Sequence, residues 1–175
     1  MDWYQTVFEL IDMRSFSNLW YWISLAVVWS TASHWVLGVP FDMVLRAKRQ
    51  GGQAEIDMLN IVSVNVRRMQ YIGQVAGIWI VAIGSGVLTT LAILGFVYWV
   101  EFAQAIFLLA FPMSLVGLLS LRAARLMLQY THDADAMRER LTRHRLHTQL
   151  IGVVSIFVTS LFGMWQNISV GPLGG

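Results

Sequence analysis

Four long apolar stretches alternate with segments rich in arginine along this chain. Crossing roughly 30 Å of hydrocarbon takes about 20 apolar residues in a helix. Stretches 18–39, 72–99, 102–121 and 150–167 meet or approach that length. Pro40 closes the first, and Gly171, Pro172, Gly174 and Gly175 follow the last, where a helix is expected to stop. The pattern predicts an all-α membrane protein, a single four-transmembrane-helix bundle with polar segments 40–71 and 122–149 between its spans.

Those polar segments are themselves periodic. After the Gly51-Gly52 break, Leu59, Val62, Val66 and Met69 recur at spacings of three and four. Asn60, Ser63, Arg67, Gln70 and Gln74 follow in nearly the same rhythm, which is the signature of an amphipathic helix. One continuous helix over 53–98 would run about 69 Å at ~1.5 Å per residue, roughly twice the hydrocarbon core. The third span extends in the same way through Arg122, Arg125, Gln129 and His132, beside an apolar stripe of Leu121, Ala124 and Leu128. Only residues 99–101 join spans two and three, so the two helices are expected to be antiparallel neighbours whose extensions form a stalk. Thr131 or Asp133 then reads as the N-cap of a further polar helix. Asp133, Asp135 and Glu139 come early in it, and Arg138, Arg140, Arg143 and Arg145 late, as the helix dipole favours. Glu139 and Arg143 make a favourable i,i+4 pair.

Charge orients this frame. Segment 40–71 holds Arg46, Lys48, Arg49, Arg67 and Arg68, and segment 122–149 holds Arg122, Arg125, Arg138, Arg140, Arg143 and Arg145. Eleven of the twelve basic residues thus fall on one side, leaving only Arg14 on the other. The positive-inside rule places both segments in the cytoplasm and both termini outside. A pI of about 9.3 could suggest nucleic acid, but these arginines border apolar runs, so no nucleic-acid partner is expected. Composition agrees, with 57% hydrophobic and 13% charged residues. Asp2, Glu9 and Asp12 precede the first span with no basic cluster, so a cleavable signal peptide is not expected. Trp20, Tyr21, Trp22, Tyr98, Trp99 and Trp165 mark the outer boundary, and Trp35 and Tyr71 the inner one.

Polar groups inside spans are where chemistry is sought. His34, near Ser30, Thr31 and Ser33, is a candidate haem or quinone contact or proton relay. A lone histidine near the interface more often bonds a neighbouring helix, and no second intramembrane histidine accompanies it. His144 and His147 form an i,i+3 pair with His132, Asp133 and Asp135 upstream, but the surrounding arginines oppose a dication, so no metal site is expected. Gly73, Gly77, Gly84 and Gly86 line span two with small residues, expected to serve helix packing within the bundle, with a subunit interface as the alternative. Pro112 predicts a kink that Ser114 would help to satisfy. Asn167-Ile-Ser169 fits a glycosylation sequon too short to be specific. There is no cysteine, hence no disulfide or thiolate site. Phosphate-loop, nucleophile-elbow, paired-carboxylate and zinc-protease motifs are absent, and spans two and four carry no charge, which weighs against coupled transport.

The opening Met1-Asp-Trp-Tyr-Gln-Thr-Val-Phe-Glu-Leu-Ile-Asp-Met-Arg-Ser-Phe-Ser-Asn-Leu-Trp-Tyr-Trp, with Ser33-His-Trp-Val-Leu-Gly-Val-Pro and Glu101-Phe-Ala-Gln-Ala, resembles a family of small bacterial membrane proteins labelled as components of the Suf iron–sulfur assembly complex. The resemblance runs over most of the chain and implies a bacterial inner-membrane location and a docking role beside that complex. Without cysteine the chain cannot hold a cluster by thiolates.

The resulting expectation is a non-enzymatic accessory or scaffold subunit without a cofactor. Its contact surface would be Arg67, Arg68, Arg122 and Arg125 on the stalk, with Arg138, Arg140, Arg143 and Arg145 on the following helix. The partner would be a protein complex or anionic lipid headgroups. The alternative is a cofactor-binding or conducting membrane protein centred on His34.

Overall fold

A computed structural model describes residues 15–130 and 133–169. The opening of the N-terminal motif, Arg14, Thr131, His132 and the C-terminal glycines with Pro172 lie outside the described residues, as does the side chain of Ser169.

The fold is all-α apart from one tiny hairpin. A 3-10 turn at Ser15–Ser17 leads to α1, Leu19–His34, whose N-cap Asn18 accepts a hydrogen bond from the Trp20 amide at 3.0 Å. The apolar run does not continue as helix to residue 39. The chain turns through Leu37 (φ +53°) and Gly38 (φ +74°), so that β1, Trp35–Val36, pairs antiparallel with β2, Val39–Pro40. Two successive residues with positive φ are what a two-residue hairpin needs, and Gly38 supplies one without a Cβ penalty. Val36, Leu37 and Val39 look like the end of a span in sequence, yet they are buried in a core at the basic end of the molecule.

That core is built by segments read as polar. Helix α2, Phe41–Gln50, buries Phe41, Val44 and Ala47 on one face and turns Lys48 and Arg49 outward. Gly51 and Gly52, both with positive φ, reverse the chain into α3, Gly52–Val75. Its buried residues are Met58, Val62 and Val66, four apart, with Leu59 and Met69 packed beside them. Ala124 and Met127 of α5, Glu101–Met127, and Met137 and Leu141 of α6, Ala134–Ser169, close the cluster. Asp133 is the N-cap of α6, its carboxylate accepting from the Ala136 amide at 3.0 Å.

The expected single helix over 53–98 is interrupted. At Ala76 the backbone departs from helical ψ (φ −114°, ψ 1°), and α4, Gly77–Ala92, begins afterwards. Amide bonds Ala76 to Ile72 (2.8 Å) and Ile80 to Ala76 (2.9 Å) bridge the break, so it is a kink rather than a loop. A π-turn at Ile93–Val97 ends α4, and Trp99 (φ +57°) completes the reversal into α5. There Gly95 accepts from the Gln104 side-chain amide at 2.8 Å; a Cβ on Gly95 would stand 3.0 Å from the Gln104 nitrogen.

Three helical segments are long and apolar enough to cross a membrane: Gly77–Val97, Glu101–Tyr130 and Ala134–Ile168. Helix α1 has 16 residues, about 24 Å, and falls short of that length on its own. It packs against α5 and α6 through Leu25, Trp29 and Val116. Gly152 of α6 makes this approach possible, since a Cβ there would lie 2.7 Å from the Trp29 ring. Helix α4 buries no residue and sits at the periphery beside α5.

Candidate functional site

Polarity divides the molecule. Basic residues at positions 46–68 and 122–145 surround the lower core, while the upper helices expose leucine, isoleucine, valine and aromatic side chains to their surroundings. The structure separates those arginines into two groups that sequence treated as one surface.

Two of them hold the fold together. Arg138 pairs with Glu55 Oε2 at 2.9 Å, joining α6 to α3 across 83 residues, and also contacts Asp135. Arg145 donates from Nε to the Ser33 carbonyl at 3.2 Å and lies 4.0 Å over the Phe41 ring, tying α6 to the end of α1 and the start of α2. Both are internal braces rather than free contacts, which corrects the expectation for these two positions. Arg143 forms the expected pair with Glu139 at 2.6 Å on the helix surface. Arg140 sits 4.1 Å over Tyr130.

Arg67, Arg68, Arg122 and Arg125 form the second group. All four are exposed, and among the described residues none has a carboxylate partner. Gly73 of α3 faces Leu121 of α5, where an added Cβ would stand 3.7 Å from the leucine, and this marks the antiparallel register of the two helices. Counting outward from that contact brings Arg67 and Arg68 to the level of Arg125. The expected pairing of the two extensions is seen in the packing of α3 on α5, with Arg67, Arg68 and Arg125 near one level and Arg122 about a turn nearer the apolar end.

A cleft of about 180 Å³ opens between α5 and α6, where each helix changes from apolar to basic. Arg122, Arg140, Arg143, His144 and His147 line it over a floor that includes Leu119 and Leu126. His144 is buried and its Nε2 lies 3.1 Å from Ser120 Oγ. In the polar stretch of α6, burial first and the neighbouring His147 second push its imidazole below the ordinary histidine range. A neutral ring bonded to serine is a helix contact, and among the described residues no three acid or histidine side chains converge as a metal would need.

His34 is exposed at the foot of α1, edge-on to Trp35 with ring centroids 6.0 Å apart. Neither His144 nor His147 is brought to it; both belong to the α5/α6 cleft. The glycines also depart from expectation. Gly73 meets Leu121, but a Cβ on Gly77, Gly84 or Gly86 would meet nothing within 4 Å, so these three do not serve packing inside the fold. Ser114 bonds its own-turn Phe111 carbonyl at 2.6 Å, not the carbonyl that Pro112 frees.

Sequence reasoning missed Gln104, which is fully buried. It is the one amide in the 102–121 run, and the rule that flags polar residues inside spans applies to it. It also missed Glu55 and Asn65; the Asn65 side chain donates to the Gly38 carbonyl at 3.1 Å and anchors the hairpin on α3. No local signal marks either one, because their partners are distant in the chain. Comparison with family models, curated proteins and solved structures finds no match to this chain.

Proposed function

We propose that the chain is a four-span integral membrane accessory protein that presents a rigid basic platform to an acidic surface of a cytoplasmic protein complex. In this reading α1 crosses with α4, α5 and α6, both termini face outward, and the basic end lies in the cytoplasm. Supporting it, α1 contains no Lys, Arg, Asp or Glu, exposes Leu19, Trp20 and Val27, and packs lengthwise on two of the longer helices. The 3-10 turn before it and the hairpin after it add to its reach.

The observation that carries the docking role is the set of four unpaired, exposed arginines on α3 and α5. They stand on helices over a well-packed core rather than on a loop, so little backbone ordering entropy is lost when a partner binds. A charged patch that complements an acidic partner chiefly sets specificity and association rate. The family resemblance points the same way, toward a bacterial inner-membrane dock for an assembly complex. The role is read as docking because the exposed charge at the basic end is guanidinium, which pairs readily with carboxylates.

The test is co-purification in mild detergent with identification of whatever migrates with the chain. Exchanging Arg67, Arg68, Arg122 and Arg125 for Gln should strip the partner while leaving the protein folded. Unchanged recovery of the same partner would overturn the proposal.

A further inference from the structure

Above the basic cleft, the groove between α5 and α6 continues as an apolar cleft of about 390 Å³. Its walls include Phe107, Phe111 and Leu115 on one helix and Leu150, Val154 and Val158 on the other. The two clefts are stacked along the same helix faces. Leu115, Leu119 and Arg122 follow at spacings of four and three on α5, and Val154, Ile151 and His147 at three and four on α6. One end of the groove therefore offers cations and the other is almost wholly apolar, with the hydroxyls of Ser155 and Thr159 as its only polar side-chain groups.

We propose that this groove binds one anionic phospholipid, its phosphate held by Arg122 and Arg140 with His147 beside them, and one acyl chain lying along Leu119 to Phe107. The inference rests on the membrane reading given above; it shares Arg122 with the proposed docking surface but does not require the protein partner. Charge supports it: Arg122 and Arg140 have no carboxylate partner among the described residues, and the carboxylate nearest in the chain, Glu139, is taken by Arg143. Length supports it too. Leu119 to Phe107 covers about 18 Å of helix, and half the hydrocarbon thickness is about 15 Å. The place fits as well, because both helices change polarity at this height, where a phosphate lies in a bilayer. Basic pockets between membrane helices on the cytoplasmic side are general binding places for anionic headgroups. A zwitterionic lipid fits the apolar part equally but adds a cation against the two unpaired arginines.

The full chain extracted in detergent is titrated with phosphatidylglycerol and, separately, phosphatidylcholine of the same chains, and bound lipid is counted by native mass spectrometry. One phosphatidylglycerol per chain should be retained at least about tenfold more tightly than phosphatidylcholine. Arg122→Gln with Arg140→Gln should weaken it about 30-fold, at roughly fivefold per arginine. Arg122→Gln alone, at an exposed position, should give the fivefold step in a protein of unchanged unfolding temperature. Arg67→Gln with Arg68→Gln removes equal charge elsewhere and should leave binding within twofold of the parent. Leu115→Trp, which fills the apolar cleft, should weaken both lipids. Equal retention of the two lipids, or equal loss from the Arg67 and Arg68 pair, would overturn the site. Displacement by glycerol phosphate at the same concentration would make it a phosphate site without a lipid. A lipid-free dimer that Leu115→Trp dissolves would give the groove to a second copy, and preferential capture of an acidic peptide would give it to a protein. Failure of the membrane reading shows earlier and separately, as protein recovered without detergent.

Discussion

The Ser155 hydroxyl of α6 donates to the Leu108 carbonyl of α5 at 3.5 Å, and Leu108 is the residue whose helical partner Pro112 removes. Proline has no amide hydrogen, so the carbonyl four residues earlier loses its bond in the helix. In an apolar setting that loss is costly unless another donor comes within reach, and a neighbouring helix supplies it at the long end of hydrogen-bond range. The kink and the α5–α6 contact are thus one feature.

A double-mutant cycle reads this coupling. Ser155→Ala should cost about 0.6 kcal/mol in the parent, the usual size for a hydrogen bond between membrane helices. In a Pro112→Ala background the Leu108 carbonyl regains an amide partner, and the same change should cost almost nothing. Unfolding in detergent against a denaturant gives both numbers. Equal costs in the two backgrounds would show that the serine does not serve the proline.

Gly152 is held small by the Trp29 ring. A methyl group there would lie 2.7 Å from the ring, and an indole wedged between α1, α5 and α6 has no flexible end to move aside. Gly152→Ala should lower stability by about 1–3 kcal/mol through overpacking. Trp29→Leu should recover much of that loss when combined with it. Gly84→Ala, where open space surrounds the Cβ, is the control and should be close to neutral or slightly stabilising. An unfolding temperature unchanged by Gly152→Ala would contradict the packing described.

Arginines of the same charge should separate by role. Arg138→Gln breaks the bond to Glu55 and should cost up to about 1 kcal/mol, since the pair is only partly shielded from solvent. Arg68→Gln should leave the unfolding temperature unchanged and weaken partner recovery instead. If Arg68→Gln destabilises as much as Arg138→Gln, the division into braces and free cations fails.

Orientation can be measured directly because the chain has no cysteine of its own. Single cysteines at Ser17 and at Arg68 should differ in reaction with a membrane-impermeant maleimide on intact cells. Ser17→Cys should label without permeabilisation, and Arg68→Cys only after it. Labelling of both from outside would remove the four-span reading, and the reverse order would invert it.

Hydrophobic period, length of apolar runs and placement of charge were legible along the chain because each depends on neighbours within a turn or two of helix. They determined the all-α class, the long apolar segments around α4, α5 and α6, the stripe Val62–Val66 of α3, the Asp133 cap and the gathering of arginines at one end. Tertiary structure decided what depends on residues far apart. Val36, Leu37 and Val39 leave the first apolar run because Gly38 turns the chain, Asn65 receives it 27 residues later, and a core of α2, α3, α5 and α6 covers it. Arg138 and Arg145 became braces because Glu55 and Ser33 lie against them from 83 and 112 positions away. Gly77, Gly84 and Gly86 face open space because α4 touches the bundle mainly through α5. Helical period tells which residues share a face; only the packing of one helix on another tells what that face meets.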